Sequence, residues 1–315
     1  MTAAAKVAIV GAGLVGSATA FALLDGGLVS EICLVDLDRD KAEGHAMDLA
    51  HGSSFVRPVK VTAGDMSCCE GADVVVVTAG RNQAPGETRL DLSRDNARTM
   101  REVIPQIDAC APPNAVVVIV TNPVDVLTTV AARLSSRPPS LVLGSGTVLD
   151  SSRFRYMLSA HCGVDPRNVH AYVIGEHGDT EVAAWSLTNI AGTRLDDFCP
   201  ACPKGCGRAV RDGIAERVRD SAYHVIEKKG ATYWAVALAL RRIVETVVRD
   251  ENSVLTVSTL LTGQYGLDDV SLSLPCIVGR SGVARVLDPP LEEAEIEALL
   301  RSADALKEVQ EDLRI

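Results

Sequence analysis

No apolar run in this chain of 315 residues is long enough to cross a bilayer. Runs such as "AVVVIV" from Ala115 to Val120 fall far short of the ~20 residues a spanning helix needs, so no membrane partner is expected. The N-terminus, "MTAAAKVAIVGAG", lacks a basic segment followed by a long apolar one, so no signal peptide is expected and the cytoplasm is the expected compartment. Positive charge is also short: 31 Lys and Arg against 41 Asp and Glu leave a net charge of −10. A nucleic-acid backbone is thereby a poor partner, because phosphates need clustered cations. Nine cysteines are an odd number, which excludes a complete disulfide framework. Three of them cluster as "CPACPKGC" (Cys199, Cys202 and Cys206), but a structural metal site wants four ligands and no fourth stands nearby, so no metal is expected. Internal repeats and low-complexity segments are absent too, and 47% hydrophobic with 23% charged residues describes an ordinary folded chain.

What is present falls into two grammars. Over residues 1–145, short β-branched runs alternate with helical patterns. The expected strands are Lys6–Val10, Ile32–Asp36, Val59–Ala63, Asp73–Ala79, Ala115–Val120 and Leu141–Gly144. Several are apolar throughout, as strands covered on both faces are. Helical patterns fill the gaps at Leu14–Asp25, Arg39–Ala50 and Asp91–Cys110, the last with a kink expected at Pro105. This strand–helix repetition predicts a doubly wound parallel sheet, an α/β nucleotide-binding (Rossmann) domain. Residues 146–315 change to alternation: in "DVSLSLPCIVG", Val270, Leu272 and Leu274 share one face and Ser271 and Ser273 the other. That predicts half-buried antiparallel sheet within an α+β substrate domain, closed by an amphipathic helix carrying Ile296, Leu299, Leu300, Ala303 and Leu306.

Gly11, Gly13 and Gly16 form G-x-G-x-x-G directly after a strand and at the start of a helix. Placed there, the three glycines allow a tight turn, close approach to a pyrophosphate, and close helix–strand packing. About twenty residues past the third glycine, "CLVDLD" ends the next strand at Asp36, where a carboxylate accepts hydrogen bonds from a ribose 2′-OH and repels a 2′-phosphate, so NAD is favoured over NADP. The blander role for Asp36 is to cap the following turn, and Asp38 blurs the register.

Three further stretches carry unusual chemistry. "GRNQAPGETRLDL" has the composition of a lid and presents Gln83 and Arg89. "TNPVDV" places Asn122 at the carboxyl end of the fifth strand, where open α/β sheets bind ligands. "GSGTVLDSSRFRYML" puts Asp150 and Arg153 on one helix face, either as a surface ion pair or as part of a site. His177, in "IGEHGDTE", sits between acids at a strand end, as a turn residue, a metal ligand or a proton-transfer group.

Taken in order, "GAGLVG", "LVDL", "TAGRNQAPGETRLDL", "TNPVDV", "GSGTVLDSSRFR", "GEHGDTE" and "KGATYW" make the chain resemble the L-lactate/malate dehydrogenase family along nearly its whole length, with bacterial NAD-dependent L-lactate dehydrogenases most similar. The resemblance implies that His177 is the acid/base, Asp150 its partner, Arg153 the carboxylate clamp and Arg89 the loop arginine. It also implies cofactor contacts at Gly11, Gly13, Val15, Gly16, Asp36, Thr78, Ala79, Gly80 and Asn122, and substrate contacts at Gln83, Arg89, Asn122, Arg153 and Thr232. These roles make chemical sense. An imidazole titrating near neutrality suits proton transfer in both directions, a carboxylate fixes its tautomer, and a guanidinium holds a carboxylate bidentately. In malate-specific relatives the position of Gln83 is an arginine that neutralises a second carboxylate; neutral Gln83 suits pyruvate and L-lactate. Arg81, two positions earlier, would meet a second carboxylate only if the loop register slipped. Arg155 lies about 200° around the helix from Arg153 and faces away from the site. With His170, on the same strand run as His177, it matches positions that bind fructose 1,6-bisphosphate at a subunit interface in allosteric relatives, and a homotetramer is implied likewise. The rival readings are a malate dehydrogenase, a non-catalytic NAD-binding scaffold, and a redox-regulated protein using the Cys199–Cys206 cluster.

Overall fold

The computed structural model describes residues 5–81, 89–199 and 204–314, with Arg89 described in its backbone only. The first half runs β1 (Lys6–Val10), α1 (Leu14–Gly26), β2 (Glu31–Val35), α2 (Arg39–His51), β3 (Lys60–Gly64), β4 (Val74–Val77), α3 (Arg89–Cys110), β5 (Val116–Ile119), α4 (Val124–Leu134), β6 (Val142–Gly144) and α5 (Val148–Cys162). The second half continues with short strands β7 (Val169–His170), β8 (Val173–Ile174), β9 (Val182–Ala183), β10 (Asn189–Ile190) and β11 (Thr193–Arg194), then α6 (Leu195–Phe198), α7 (Arg208–Lys229) and α8 (Trp234–Val248). It ends with β12 (Ser253–Leu255), β13 (Ser258–Thr262), β14 (Asp268–Ser273), β15 (Cys276–Gly279), β16 (Gly282–Val286) and α9 (Glu293–Asp312). Element ends differ from the sequence expectations by a residue or two, and α3 passes through Pro105 as one helix.

The central sheet has the order β14-β13-β6-β5-β4-β1-β2-β3, with β1 to β6 parallel. Its strands are valine runs, and successive residues divide between two cores. Val7, Ile9, Val74, Val76, Val116 and Val118 face one core, built with α1, α2 and α8. Ala8, Val10, Val75, Val77, Val117 and Ile119 face the other, built with α3 and α4. A strand buried on both faces has no reason to alternate polar and apolar residues, which explains the uninterrupted "VVVV" of β4. The order reverses on either side of β1, so the crevice beyond the carboxyl ends of β1 and β4 is the position where such sheets bind ligands.

Two expectations change. The antiparallel pairing of β13 with β14 holds, but this hairpin extends the central sheet beside β6 and is not half-exposed. Val270, Leu272 and Leu274 pack with Leu299, Ala303 and Leu306 of α9, whereas Ser271 and Ser273 are fully buried on the opposite face. On that face the Thr147 N–H donates to the Ser273 hydroxyl at 3.1 Å and Thr129 of α4 accepts from the Ser271 backbone N–H at 3.0 Å, while the Ser271 hydroxyl is buried with no partner among the described residues. Serine alternation therefore marked a polar seam inside the protein, not a solvent face. Second, the run before His177 is not one strand. Val169–His170 joins β10 and β11, while Val173–Ile174 pairs with β9 in a separate sheet. Cys33 of β2 is joined by a disulfide to Cys68, a pairing the sequence did not single out. No described helix is long and apolar enough to cross a membrane.

Candidate active site

The nucleotide end is shaped by the backbone. Gly11 adopts φ +108°, a conformation open to glycine, and its carbonyl accepts from the Thr78 hydroxyl at 2.6 Å. A Cβ on Gly16 would stand 1.9 Å from the Gly11 carbonyl oxygen, so only glycine lets α1 approach the strand. A Cβ on Gly13 would meet nothing within 4 Å, and Gly13 caps α1 with no side chain. This is open space at the amino end of a helix, where a phosphate is held by N–H groups and the dipole. Asp36 lies at the end of β2, its carboxylate accepting from the Ala12 N–H at 2.6 Å and from the Asp38 N–H at 3.0 Å. Capping of α2 belongs to Asp38, which accepts from Lys41 N–H at 3.1 Å. The register is thereby resolved, and Asp36 borders the glycine turn. Val15, Thr78, Ala79 and Gly80 line the same turn and the end of β4. Open space, uncapped helix end and acidic border fit an NAD-type dinucleotide.

The second cluster forms where α5 meets the loop after β8. Gly175 bridges to Ser273 of β14, which turns the chain and projects His177 toward α5. The His177 Nδ1 lies 2.5 Å from Oδ2 of Asp150, and Arg153 donates to Oδ1 of the same carboxylate at 2.7 Å. Asp150 is 1% exposed, so its pairing with Arg153 is no surface ion pair. Burial alone would raise the Asp150 carboxyl, but the charge and hydrogen bond of His177, then those of Arg153, hold it below the usual carboxylate range. For the ring, burial opposes protonation and is outweighed by the charge and hydrogen bond of Asp150, with Asp125 and Glu181 adding; His177 is pushed up to about 9. Since Nδ1 serves Asp150, Nε2 is the nitrogen left to exchange a proton with a substrate.

Two acids here escaped sequence reasoning. Glu181 is pushed up to about 8 by burial and then by the charge of Asp150. Asp125, in the first turn of α4, accepts from the His177 backbone N–H at 2.7 Å and is pushed up to about 6 by burial. Asp125 had a signal in the sequence: one acid within the otherwise uncharged "VDVLTTVAA". At a helix start, however, an acid reads as an ordinary dipole complement.

The remaining positions are distributed as follows. Asn122 follows β5, with its carbonyl accepting from Asn96 at 2.8 Å. Thr232 stands half-buried between α7 and α8. Gln83 and Cys202 lie outside the described residues, as does the side chain of Arg89. Arg81 is held by Asp95 of α3, its Nε and Nη2 both reaching the one oxygen Oδ2, at 2.9 and 2.8 Å. Arg155 donates to the Ala171 carbonyl at 2.9 Å and stacks over Tyr172, beside an exposed His170. Cys199 is half-buried and Cys206 buried, and among the described residues no group of three or more acid, histidine or cysteine side chains is arranged to hold a metal.

Comparison with known proteins gives a consistent result. Residues 5–144 match the family model described as lactate/malate dehydrogenase, NAD binding domain, and residues 147–314 match the lactate/malate dehydrogenase alpha/beta C-terminal domain. The chain is 55% identical over 310 residues to an L-lactate dehydrogenase of Thermoanaerobacterium saccharolyticum, covering 98% of this chain and 99% of that one. It is 54% identical over 303 residues to L-lactate dehydrogenase 1 of Clostridium acetobutylicum, covering 96% of each. Among solved structures, a lactate dehydrogenase from a deep-sea metagenome library of the Medee basin superposes with TM-score 0.96 at 39% identity, covering 99% of both chains. A minor L-lactate dehydrogenase of Enterococcus mundtii gives TM-score 0.95 at 37% identity, again covering 99% of both.

Proposed function

The chain belongs to the lactate/malate dehydrogenase family, and we propose that it acts there as an NAD-dependent L-lactate dehydrogenase interconverting L-lactate and pyruvate. The observation that carries the chemistry is the shared carboxylate: Asp150 binds the His177 ring through one oxygen and Arg153 through the other. NAD, bound across the glycine turn, supplies or accepts the hydride. Residues 1–145 form its platform and residues 146–315 contribute the acid/base.

In this reading His177 gives its Nε2 proton to the substrate oxygen during pyruvate reduction and takes it back during lactate oxidation. Asp150 fixes the tautomer and stabilises the protonated ring, which is why the ring holds its proton above neutrality. One guanidinium nitrogen of Arg153 serves Asp150, and the remaining N–H groups grip the substrate carboxylate. Arg89, Asn122 and Thr232 complete the substrate pocket, with Arg89 polarising the carbonyl while the loop excludes water. Gly11, Gly13, Val15, Gly16, Asp36, Thr78, Ala79, Gly80 and Asn122 hold the dinucleotide.

Pyruvate over oxaloacetate follows from the charge balance. Gln83 is neutral, and Arg81, the one candidate for meeting a second carboxylate after a register slip, is occupied by Asp95. The deciding experiment is NADH loss followed by absorbance with pyruvate and with oxaloacetate. Pyruvate should be preferred, and H177N should be inactive; turnover by H177N at the native rate refutes the assignment. A control site at Arg155 and His170 is a second proposal, supported by the packing of Arg155 on the residues that follow His170. There, fructose 1,6-bisphosphate would join subunits of a homotetramer. Its test is the KM for pyruvate and the sedimentation coefficient with and without the bisphosphate; no change in either removes it.

A further inference from the structure

The Cys33–Cys68 disulfide joins two segments that border the dinucleotide site. Cys33 is the third residue of β2, three positions before Asp36, and its neighbours in register are Ala8 of β1 and Thr62 of β3. Cys68 lies in a one-turn 3-10 helix, Met66–Cys69, that follows β3. Gly64, the last residue of β3, pairs with Val35, the residue before Asp36. The bond thus closes a loop of chain, with a sequence separation of 35, that contains Asp36, all of α2 and all of β3. A cleft at the end of these strands is lined by Arg39, Ala42, Gly64 and Asp65.

The two ends of the bond are not equally fixed. Cys33 is held in a ladder between two strands, and the Thr62 hydroxyl donates to its sulfur at 3.2 Å. The turn carrying Cys68 rests on Asp65, whose carboxylate accepts from the Ser67 N–H at 2.9 Å and whose carbonyl accepts from the Cys68 N–H at 3.0 Å. Gly64, Asp65, Ser67 and Glu70 around it are exposed, whereas both bonded cysteines are buried. Space beside Cys68 is tight: a Cβ on Gly64 would stand 3.1 Å from its sulfur. Two thiols need more room than one disulfide, so when the bond opens it is the turn, not the strand, that gives way. Neighbouring Cys69 does not compete for the bond. Burial, then nearby Cys110, pushes its thiol up to about 11, and the thiolate that would attack is scarce at neutral pH.

We propose that the Cys33–Cys68 pair is a redox clasp on the adenosine side of the site: closed, it holds the turn after β3 against the end of β2 and favours NADH binding; opened, it weakens that binding. This rests on NAD binding at the glycine turn beside Asp36. The co-reactant is a low-molecular-weight disulfide. In closing, the Cys68 thiolate attacks one sulfur of that disulfide and expels a small thiolate; the Cys33 thiolate then attacks the Cys68 sulfur and expels the second. Two protons pass from the protein thiols to the departing thiolates, and two electrons pass from the protein to the reagent. A small thiol reverses both steps. Where such thiols are abundant, protein disulfides are transient and regulatory.

The experiment uses the full-length enzyme equilibrated with glutathione disulfide or with dithiothreitol. Alkylation before and after reduction, followed by peptide mass mapping, reads the state of each cysteine, and fluorescence titration reads the NADH Kd. Glutathione disulfide should protect Cys33 and Cys68 together. Dithiothreitol should raise Kd by about fivefold, the effect of leaving one or two side chains to be ordered on binding. Re-oxidation should restore it, with kcat at saturating NADH unchanged, because His177 and its partners belong to other elements. C68S, or C33A if that variant does not fold, should bind NADH with the weaker affinity under both conditions, and C199S/C206S should respond as the native protein does. Alkylation of Cys33 and Cys68 in the oxidised protein, an equal Kd in both states, or a response that survives in C68S each overturns the proposal alone. NADH binding in neither state overturns the cofactor reading and the proposal with it.

Discussion

Replacing Asp150 by Asn should produce a defect whose size depends on pH. The substitution preserves shape but removes the charge that lifts His177 from its ordinary 6.5 to about 9. Without it, burial, the largest influence on the ring, is opposed only by the charges of Asp125 and Glu181, so the ring should fall back toward its ordinary value. Pyruvate reduction needs the protonated ring. At pH 7.5 nearly all native molecules carry that proton, against about one in ten of the variant, so protonation alone costs about tenfold in kcat/KM. At pH 9 half of the native molecules still carry it, against well under about one in a hundred, and the deficit passes about a hundredfold. At pH 5.5 both rings are protonated, and the remaining deficit reports only lost orientation of His177 and Arg153. Lactate oxidation, which uses the neutral ring, should be affected in the opposite sense, the population of usable base rising in the variant near neutrality. The assay is NADH absorbance in both directions across pH 5.5 to 9.5. A native-to-variant ratio for pyruvate that stays constant over that range refutes the electrostatic reasoning and leaves Asp150 a merely steric support.

Three other outcomes follow from the geometry. G13A should bind NADH at least about tenfold more weakly by fluorescence titration with little change in Tm, because its Cβ meets only open space, whereas G16A should lose Tm as well, its Cβ falling 1.9 Å from a carbonyl oxygen. Equal Tm values for the two variants would contradict the assignment of those glycines. Q83R should shift preference from pyruvate toward oxaloacetate, and unchanged ratios of kcat/KM would remove Gln83 from the specificity argument. Finally, because the folded-state His177 value is raised, its pairing with Asp150 contributes stability fully below about pH 6.5 and loses it as pH rises through about 9. Urea unfolding of native and D150N protein should therefore show a gap of a few kcal/mol near pH 6 that narrows by pH 9.5; a gap that widens is the wrong sign.

Much of this site was legible because its parts are local. G-x-G-x-x-G between strand and helix carries its own geometry, and Asp150 with Arg153 share a helix face by spacing alone. The loop "GEHGDTE" declared an unusual histidine. Asp125 was not legible, since an acid in a first helical turn looks ordinary until the chain is folded around it. The serine face of β14 failed for a related reason: period-two alternation reports two environments, and solvent is only one kind of polar environment.

By itself, then, the order of residues determined the parallel sheet, the dinucleotide turn and the chemical identity of the reacting groups, because backbone sterics and side-chain periodicity act over a few residues. Tertiary structure alone decided which charges confront each other. It brings α4, α5 and the loop after β8 together around one imidazole, and in a buried site the proton affinity of that ring is set by neighbours distant in sequence.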